Sequence, residues 1–352
     1  MPSAWARALL AATFVAALAG TSQVGGAGSD RHPAGLRTSA LLRAGAGPAQ
    51  SRVVTERPSW HGGAFKTATG DTATIYVSDT YPEDQVAPQV WAEFFAALPH
   101  GSELASALVR IAPLAEVELI CGAGALGCYG DGELVVTGEP AGGATPEEVA
   151  RHEYGHHVAS NRLNPPWRAV DWGPKRWASV QRICSRTQSG TAFPGDEGER
   201  YQLNPGEAFA ETFRVLAERK AGAALSSWSI VERSFYPNAT ALLAAEEDVL
   251  KPWTGPEKTT VRARFRTGEP RRWLLPITAP LDGELTAELR LPPGRLDTLE
   301  LLSADRRVLA RGLWAATSTR RLSFVVCGQR RLALRVTRLG APGRFDLTVT
   351  RP

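Results

Sequence analysis

Arg151-His152-Glu153-Tyr154-Gly155-His156-His157 holds three of the six histidines in the chain. His152 and His156 are four residues apart, so on a helix their imidazoles share one face, one turn apart. Two neutral imidazoles so placed can share one zinc ion. Glu153, between them, is placed to take a proton from water activated by that metal. The helix is predicted from its ends. Thr145-Pro146-Glu147-Glu148 reads as N-cap, first-turn proline and capping box. Asn161 can end the helix, and Asn164-Pro165-Pro166 forbids its continuation. Gly155 should cost about 1 kcal/mol relative to alanine in a helix interior. A glycine tolerated there predicts close approach by another segment.

At 352 residues the chain can hold two domains, each with its own core. Its basic residues are nearly all arginine, and Ala, Gly and Pro are common, which suggests a GC-rich bacterial genome. Residues 1–28 read as a secretory signal. Arg7 supplies the charged end, and Ala8 to Ala19 is an apolar run too short to span a bilayer. Residues 29–57 read as a linker or pro-segment without a cysteine to block a metal. No later segment reads as a membrane span, so the mature chain is expected to be exported and extracellular. Four cysteines suit that compartment but allow three connectivities. The preferred pairs are Cys121–Cys128, across a glycine-rich loop, and Cys184–Cys327, which would staple two domains together.

Thr72 to Ser78 reads as a strand and Pro88 to Leu98 as a helix with Val90, Phe94, Phe95 and Leu98 on one face. Glu116 to Cys121 and Glu133 to Thr137 read as further strands. Gly122-Ala123-Gly124-Ala125-Leu126-Gly127 fits a dinucleotide-binding spacing, but Cys128-Tyr129-Gly130-Asp131-Gly132 leads into a strand rather than a helix. It is therefore read as a hairpin loop closed by Cys121–Cys128. Trp167, Trp172 and Trp177 are assigned to packing, with a helix from Pro174 to Arg186. Asn204-Pro205 starts the next helix, on which Glu207 and Glu211 lie one turn apart. Ser226 to Phe235 and Thr240 to Leu250 are predicted helical.

A catalytic zinc needs three protein ligands and one open position. No histidine follows His157, so the third ligand must be a carboxylate. Glu207 is the choice, with Glu211 hydrogen-bonding a ligating imidazole. The metzincin extension would need Gly at 159 and His at 162, where this chain has Ala159 and Arg162.

His152-Glu153-x-x-His156 followed by Glu207-x-x-x-Glu211 resembles the gluzincin metallopeptidases. Glu207-Ala-Phe-Ala-Glu211-Thr-Phe213 is similar to the signature of anthrax-lethal-factor-like zinc peptidases. The thermolysin pattern has Asn before the glutamate, where this chain has Gly206. The resemblance covers about residues 72–225 and implies an α+β zincin-like fold, an edge strand along the cleft and a protein or peptide substrate. It also implies an oxyanion-stabilising phenol shortly before the glutamate ligand, which here would be Tyr201, a kind of contribution often worth about 3 kcal/mol. His157, about 100° round the helix from His156, is not expected to be a ligand.

Trp253-Thr254-Gly255-Pro256 reads as a linker between a domain over 58–252 and a second over 257–352. The second alternates apolar and polar residues at Val261/Ala263/Phe265, Leu285/Ala287/Leu289, Leu332/Leu334/Val336 and Phe345/Leu347/Val349, the pattern of an all-β sandwich. Leu285 to Val349 resembles the bacterial pre-peptidase C-terminal domain. Charge divides the same way. Residues 257–352 carry 19 basic and 9 acidic residues, and residues 58–256 carry 15 and 25, an asymmetry hidden by the net +4. The arginines of such a module read either as a solvated face or as a site for an anionic cell-wall or polysaccharide surface, and nucleic acid is disfavoured, since no recognition motif accompanies the charge.

The expectation is thus a secreted zinc endopeptidase with Glu153 as general base. The competing reading is a non-catalytic exported surface-binding protein with a structural metal helix. A structural zinc takes four protein ligands, of which only three are evident, and leaves Glu153 without a purpose.

Overall fold

Thr72-Ala-Thr-Ile-Tyr-Val-Ser78 buries Ala73, Ile75 and Val77 on one side, as its alternation requires. The computed structural model describes residues 58–82 and 85–352, all of them in one compact unit that runs to Pro352. The expected signal at 1–28 and the segment at 29–57 lie outside the described residues.

The first half mixes strands and helices in the order β1 (Trp60–Lys66), β2 (Thr72–Ser78), α1 (Pro88–Ala96), β3 (Leu108–Ala112), α2 (Leu114–Cys121), β4 (Gly127–Gly130), β5 (Glu133–Thr137), α3 (Pro146–Ser160), α4 (Ala169–Trp172), α5 (Lys175–Val180), α6 (Ile183–Gln188), α7 (Pro205–Ala221) and α8 (Ala239–Leu250). The sheet runs β1-β2-β3-β5-β4. Its three inner strands are parallel, while β1 and β4 pair antiparallel at the two edges. Thr145 caps α3 and forms a capping box with Glu148. Asn204 caps α7 by accepting from the Gly206 N–H.

Four local assignments change. Glu116 to Cys121 is not a strand but part of α2; the strand is the preceding Leu108–Ala112. Pro113 breaks the run between them, and Val117 and Cys121, four apart, are the apolar residues that α2 buries, beside Glu116. The glycine-rich loop joins α2 to β4 rather than closing a hairpin, and Cys121–Cys128 bridges that helix-to-strand turn. The hairpin comes next, with β4 turning into β5 through Asp131-Gly132. The predicted helix from Pro174 to Arg186 is broken by Arg182 in a left-handed conformation, φ 58°. Ser226 to Phe235 has no regular structure apart from one turn at Arg233–Phe235. Ser226 there bonds Glu218 through its backbone N–H and its hydroxyl instead of starting a helix.

The second half is antiparallel β throughout: β6 (Glu257–Phe265), β7 (Arg272–Thr278), β8 (Gly283–Arg290), β9 (Thr298–Ser303), β10 (Val308–Arg311), β11 (Leu313–Ala316), β12 (Thr319–Val326), β13 (Arg331–Thr337) and β14 (Gly343–Arg351). Its two sheets are ordered β10-β9-β13-β7 and β11-β12-β8-β14-β6. Leu285, Leu289, Leu334, Val336, Phe345 and Leu347 from both sheets meet in one apolar core. That core is separate from the one beneath the helices, where Ile75, Phe95, Tyr154, Phe209 and Phe213 lie.

The halves are tied by Cys184–Cys327 and by buried polar contacts. The Asp282 N–H donates to Ser179 Oγ at 2.9 Å, and Arg330 donates to the Ser179 carbonyl at 2.9 Å. Lys175 is 1% exposed; it donates to the Pro165 carbonyl at 2.8 Å and lies 4.8 Å from the Trp253 ring. Of the three clustered tryptophans, Trp177 is fully buried against Phe209, and Trp167 stacks on Trp172 at 4.8 Å.

Candidate metal centre

Helices α3 and α7 carry the site and pack against each other at Gly155. A Cβ there would lie 2.7 Å from the Ala210 Cα, so only glycine permits the approach. This is the segment that the tolerated glycine predicted. Gly206 is also sterically required, because a Cβ would lie 2.5 Å from the Val170 carbonyl oxygen. That contact leaves no room for the asparagine of the thermolysin pattern.

His152, His156 and Glu207 are almost wholly buried, and one ligand atom from each lies within 4.8 Å of the others. The two Nε2 atoms are 3.2 Å apart. His152 Nε2 is 3.2 Å from one Glu207 oxygen, and His156 Nε2 is 3.4 Å from the other. With its proton on Nδ1, His152 donates to Glu211 Oε2 at 3.1 Å, which turns the Nε2 lone pair into the cluster. His157 instead donates from Nε2 to the Glu103 carbonyl at 2.8 Å. Burial lowers its pKa and keeps it neutral.

The chain of contacts continues beyond Glu211. Arg214 donates to both Glu211 oxygens, at 2.9 and 2.7 Å, and to Glu218 at 2.7 Å. Sequence reasoning passed over Arg214 and Glu218, although Glu211, Arg214 and Glu218 recur at helical spacing on an otherwise apolar face. Glu197 joins them from the irregular segment before α7. Its carboxylate accepts from Asn204 Nδ2 at 2.9 Å and faces Glu207. No spacing in the sequence points to that meeting.

The electrostatics call for a cation. Burial opposes charge on His152, yet the glutamates at its two ring nitrogens outweigh this and raise it to about 10. Burial likewise opposes charge on Glu207, but the histidines hold it well below the usual carboxylate range. Two imidazole nitrogens and a carboxylate therefore converge where a proton or a metal ion must sit. Their donor types and mutual spacing suit a metal ion. Glu153 is fully buried, and neither of its oxygens has a hydrogen-bond partner among the described residues. Burial, then the charge on Glu207, pushes its pKa well above the ordinary value, against the opposing effect of His152. Tyr201 reaches the centre: its Oη donates to Glu207 at 2.7 Å.

A cleft of about 410 Å³ opens onto His156 and Glu207. Tyr129 and Asp131 of the β4–β5 hairpin line one side, and Arg168 and Glu197 line another. Tyr129 stacks on His156 at 6.3 Å. Burial and the charge of Glu207 raise Glu197 to about 8.

No protein-family model matches the chain, and no curated protein sequence matches it. Several solved structures align with part of it. The pre-peptidase C-terminal domain of a collagenase from Bacillus anthracis aligns at 14% identity over 26% of this chain and 88% of that one, with a TM-score of 0.23. SPBc2 prophage-derived protein YomS aligns at 13% identity over 28% and 96%, with a TM-score of 0.20. IMPa from Pseudomonas aeruginosa, solved with an O-glycopeptide, aligns at 10% identity over 69% of this chain, which spans 37% of its length, with a TM-score of 0.19. None of these likenesses decides function.

Proposed function

We propose that the chain is a secreted, zinc-dependent endopeptidase of the gluzincin type, with a zincin-like domain over about residues 58–252 and a β-sandwich over 257–352. One observation carries this reading: the buried His152, His156 and Glu207 converge beside a glutamate, Glu153, whose oxygens have no hydrogen-bond partner among the described residues. A group that only stabilised a helix would not bury an unpartnered carboxyl, since such a group costs roughly 1–3 kcal/mol or more.

His152, His156 and Glu207 would hold the ion. When bound, zinc supplies Lewis acidity toward a water and a peptide carbonyl. Glu153 takes the proton of the attacking water on a carboxyl oxygen and delivers it to the leaving amine nitrogen. Burial raises its pKa well above the ordinary carboxylate value, which favours holding the proton once it is taken. Glu211, gripped by Arg214, holds the His152 tautomer. Tyr201, at Glu207, is placed to redirect its phenol proton toward an oxyanion. The two disulfides suit an oxidising compartment, and among the described residues no helix is long and apolar enough to cross a membrane.

The test is zinc content together with cleavage of an unfolded protein. One zinc per chain and chelator-sensitive cleavage support the reading. A chain that binds one zinc yet cleaves no unfolded protein would favour the structural-metal alternative.

A further inference from the structure

Several arginines of the β half stand opposite glutamates. Where one stands opposite a glutamate on a neighbouring strand, the two form an ion pair: Arg321 with Glu288 at 2.7 Å, Arg335 with Glu300 at 2.7 Å and Arg351 with Glu257 at 2.6 Å. Arg264 of β6 instead stands directly opposite Arg344 of β14. Like charges directly opposite on a sheet destabilise it. No carboxylate relieves this pair: among the described residues neither arginine has a side-chain hydrogen bond or ion pair. In the next row Arg262 and Arg290 flank Asp346, and Asp346 forms an ion pair with neither. The four arginines and Asp346 line a shallow groove of about 730 Å³ at the outer edge of the sheet, where β6 is the last strand, and Arg290 is held by Glu288 at 2.8 Å.

From this geometry we propose that the groove is a binding site for a linear anionic glycopolymer. Guanidinium forks take carboxylate and phosphate oxygens two at a time. Strands about 4.8 Å apart and residues about 7 Å apart along a strand set the three uncommitted forks, Arg262, Arg264 and Arg344, at spacings that match anions repeated along a chain, not a single small ion. The one aromatic ring in the groove lining, Phe345, is 2% exposed. Stacking of nucleic-acid bases, which needs exposed rings, is therefore disfavoured. The like-charged pair is the cost of holding an anion-ready site in the free protein. This site is independent of the metal centre.

Binding of the full chain to a polyuronate, to a polyol phosphate and to single-stranded DNA of equal charge tests this without any need for hydrolysis. The wild type binds the polyuronate, the polyol phosphate or both, and the stronger arm identifies carboxylate or phosphate as the natural group. Arg264→Glu weakens that binding about 10-fold or more and flattens its dependence on salt. The same substitution creates an ion pair with Arg344, so the melting temperature holds or rises and lost binding cannot be ascribed to unfolding. Arg306→Glu, at a distant exposed turn, changes nothing. The proposal is overturned if neither glycopolymer binds at about 50 mM salt, if Arg264→Glu binds like wild type, or if DNA binds more tightly than both polymers.

Discussion

Arg214 is the outermost member of the centre and touches no candidate ligand, yet the orientation of His152 depends on it. Both oxygens of Glu211 are committed to Arg214, and one of them also receives the His152 Nδ1 proton. Arg214→Leu should lower zinc affinity about 10- to 100-fold, measured by chelator competition. It should also cost about 3–5 kcal/mol in denaturant unfolding, because Glu211 and Glu218 stay buried without their cation. The ligands themselves were legible in the residues. The His152–His156 spacing, the lack of later histidines and the helical start at Asn204 named the cluster that the fold brings together. Arg214 escaped because an arginine in a helix is ordinarily read as a solvated face, and only burial shows otherwise. Glu197 lies in an irregular loop with no period, so nothing local announces that it faces Glu207.

Among the elements, α3 and α7 depend on one another at Gly155. Gly155→Ala gains about 1 kcal/mol of helix propensity. It also sets a methyl 2.7 Å from the Ala210 Cα, and overpacking of that kind costs about 1–3 kcal/mol. A net loss in melting temperature is expected, with weaker zinc binding as the helices separate. These two helices were legible because their caps are strong and their faces periodic. The stretch from Leu108 to Cys121 was not. Its apolar runs are short enough to fit either strand or helix, and the sheet decides by pairing Leu108–Ala112 between β2 and β5. Ser226 to Phe235 went astray for another reason. Its serines and buried Val231 and Phe235 find partners in tertiary contacts, and no helix is needed to satisfy them.

At the scale of the molecule, the two cores are coupled by one long-range disulfide and one buried lysine. Cys184–Cys327 spans 143 residues, against 7 for Cys121–Cys128. In the chain-entropy account, replacing the first pair by serines should cost about 5 kcal/mol and the second about 2 kcal/mol, an ordering that denaturant titration of the two variants checks. Burial lowers Lys175 to about 8, partly offset by Asp282 and Asp248. In the unfolded chain its pKa is near 10.4. Between those values the folded chain has released the proton and the unfolded chain still holds it, so stability rises with pH from about 8 to about 10. The gain is on the order of 3 kcal/mol, and Lys175→Met should abolish that rise in unfolding measured across the window. The alternating apolar residues and the cysteine count made the β half and its staple legible. Lys175 was not, because a lysine beneath a tryptophan across two cores has no signature in either segment alone.

The central claim is that Glu153 moves the proton in a metal-dependent hydrolysis, and Glu153→Gln tests it most directly. The amide keeps size and shape but cannot accept the proton. Wild type and variant, each loaded to one zinc per chain, are compared for cleavage of the same unfolded protein. The expected result is equal zinc content with cleavage reduced about 10²- to 10⁴-fold or more in the variant. Cleavage at the wild-type rate by the zinc-loaded variant would contradict the assignment of Glu153 and the chemistry built on it.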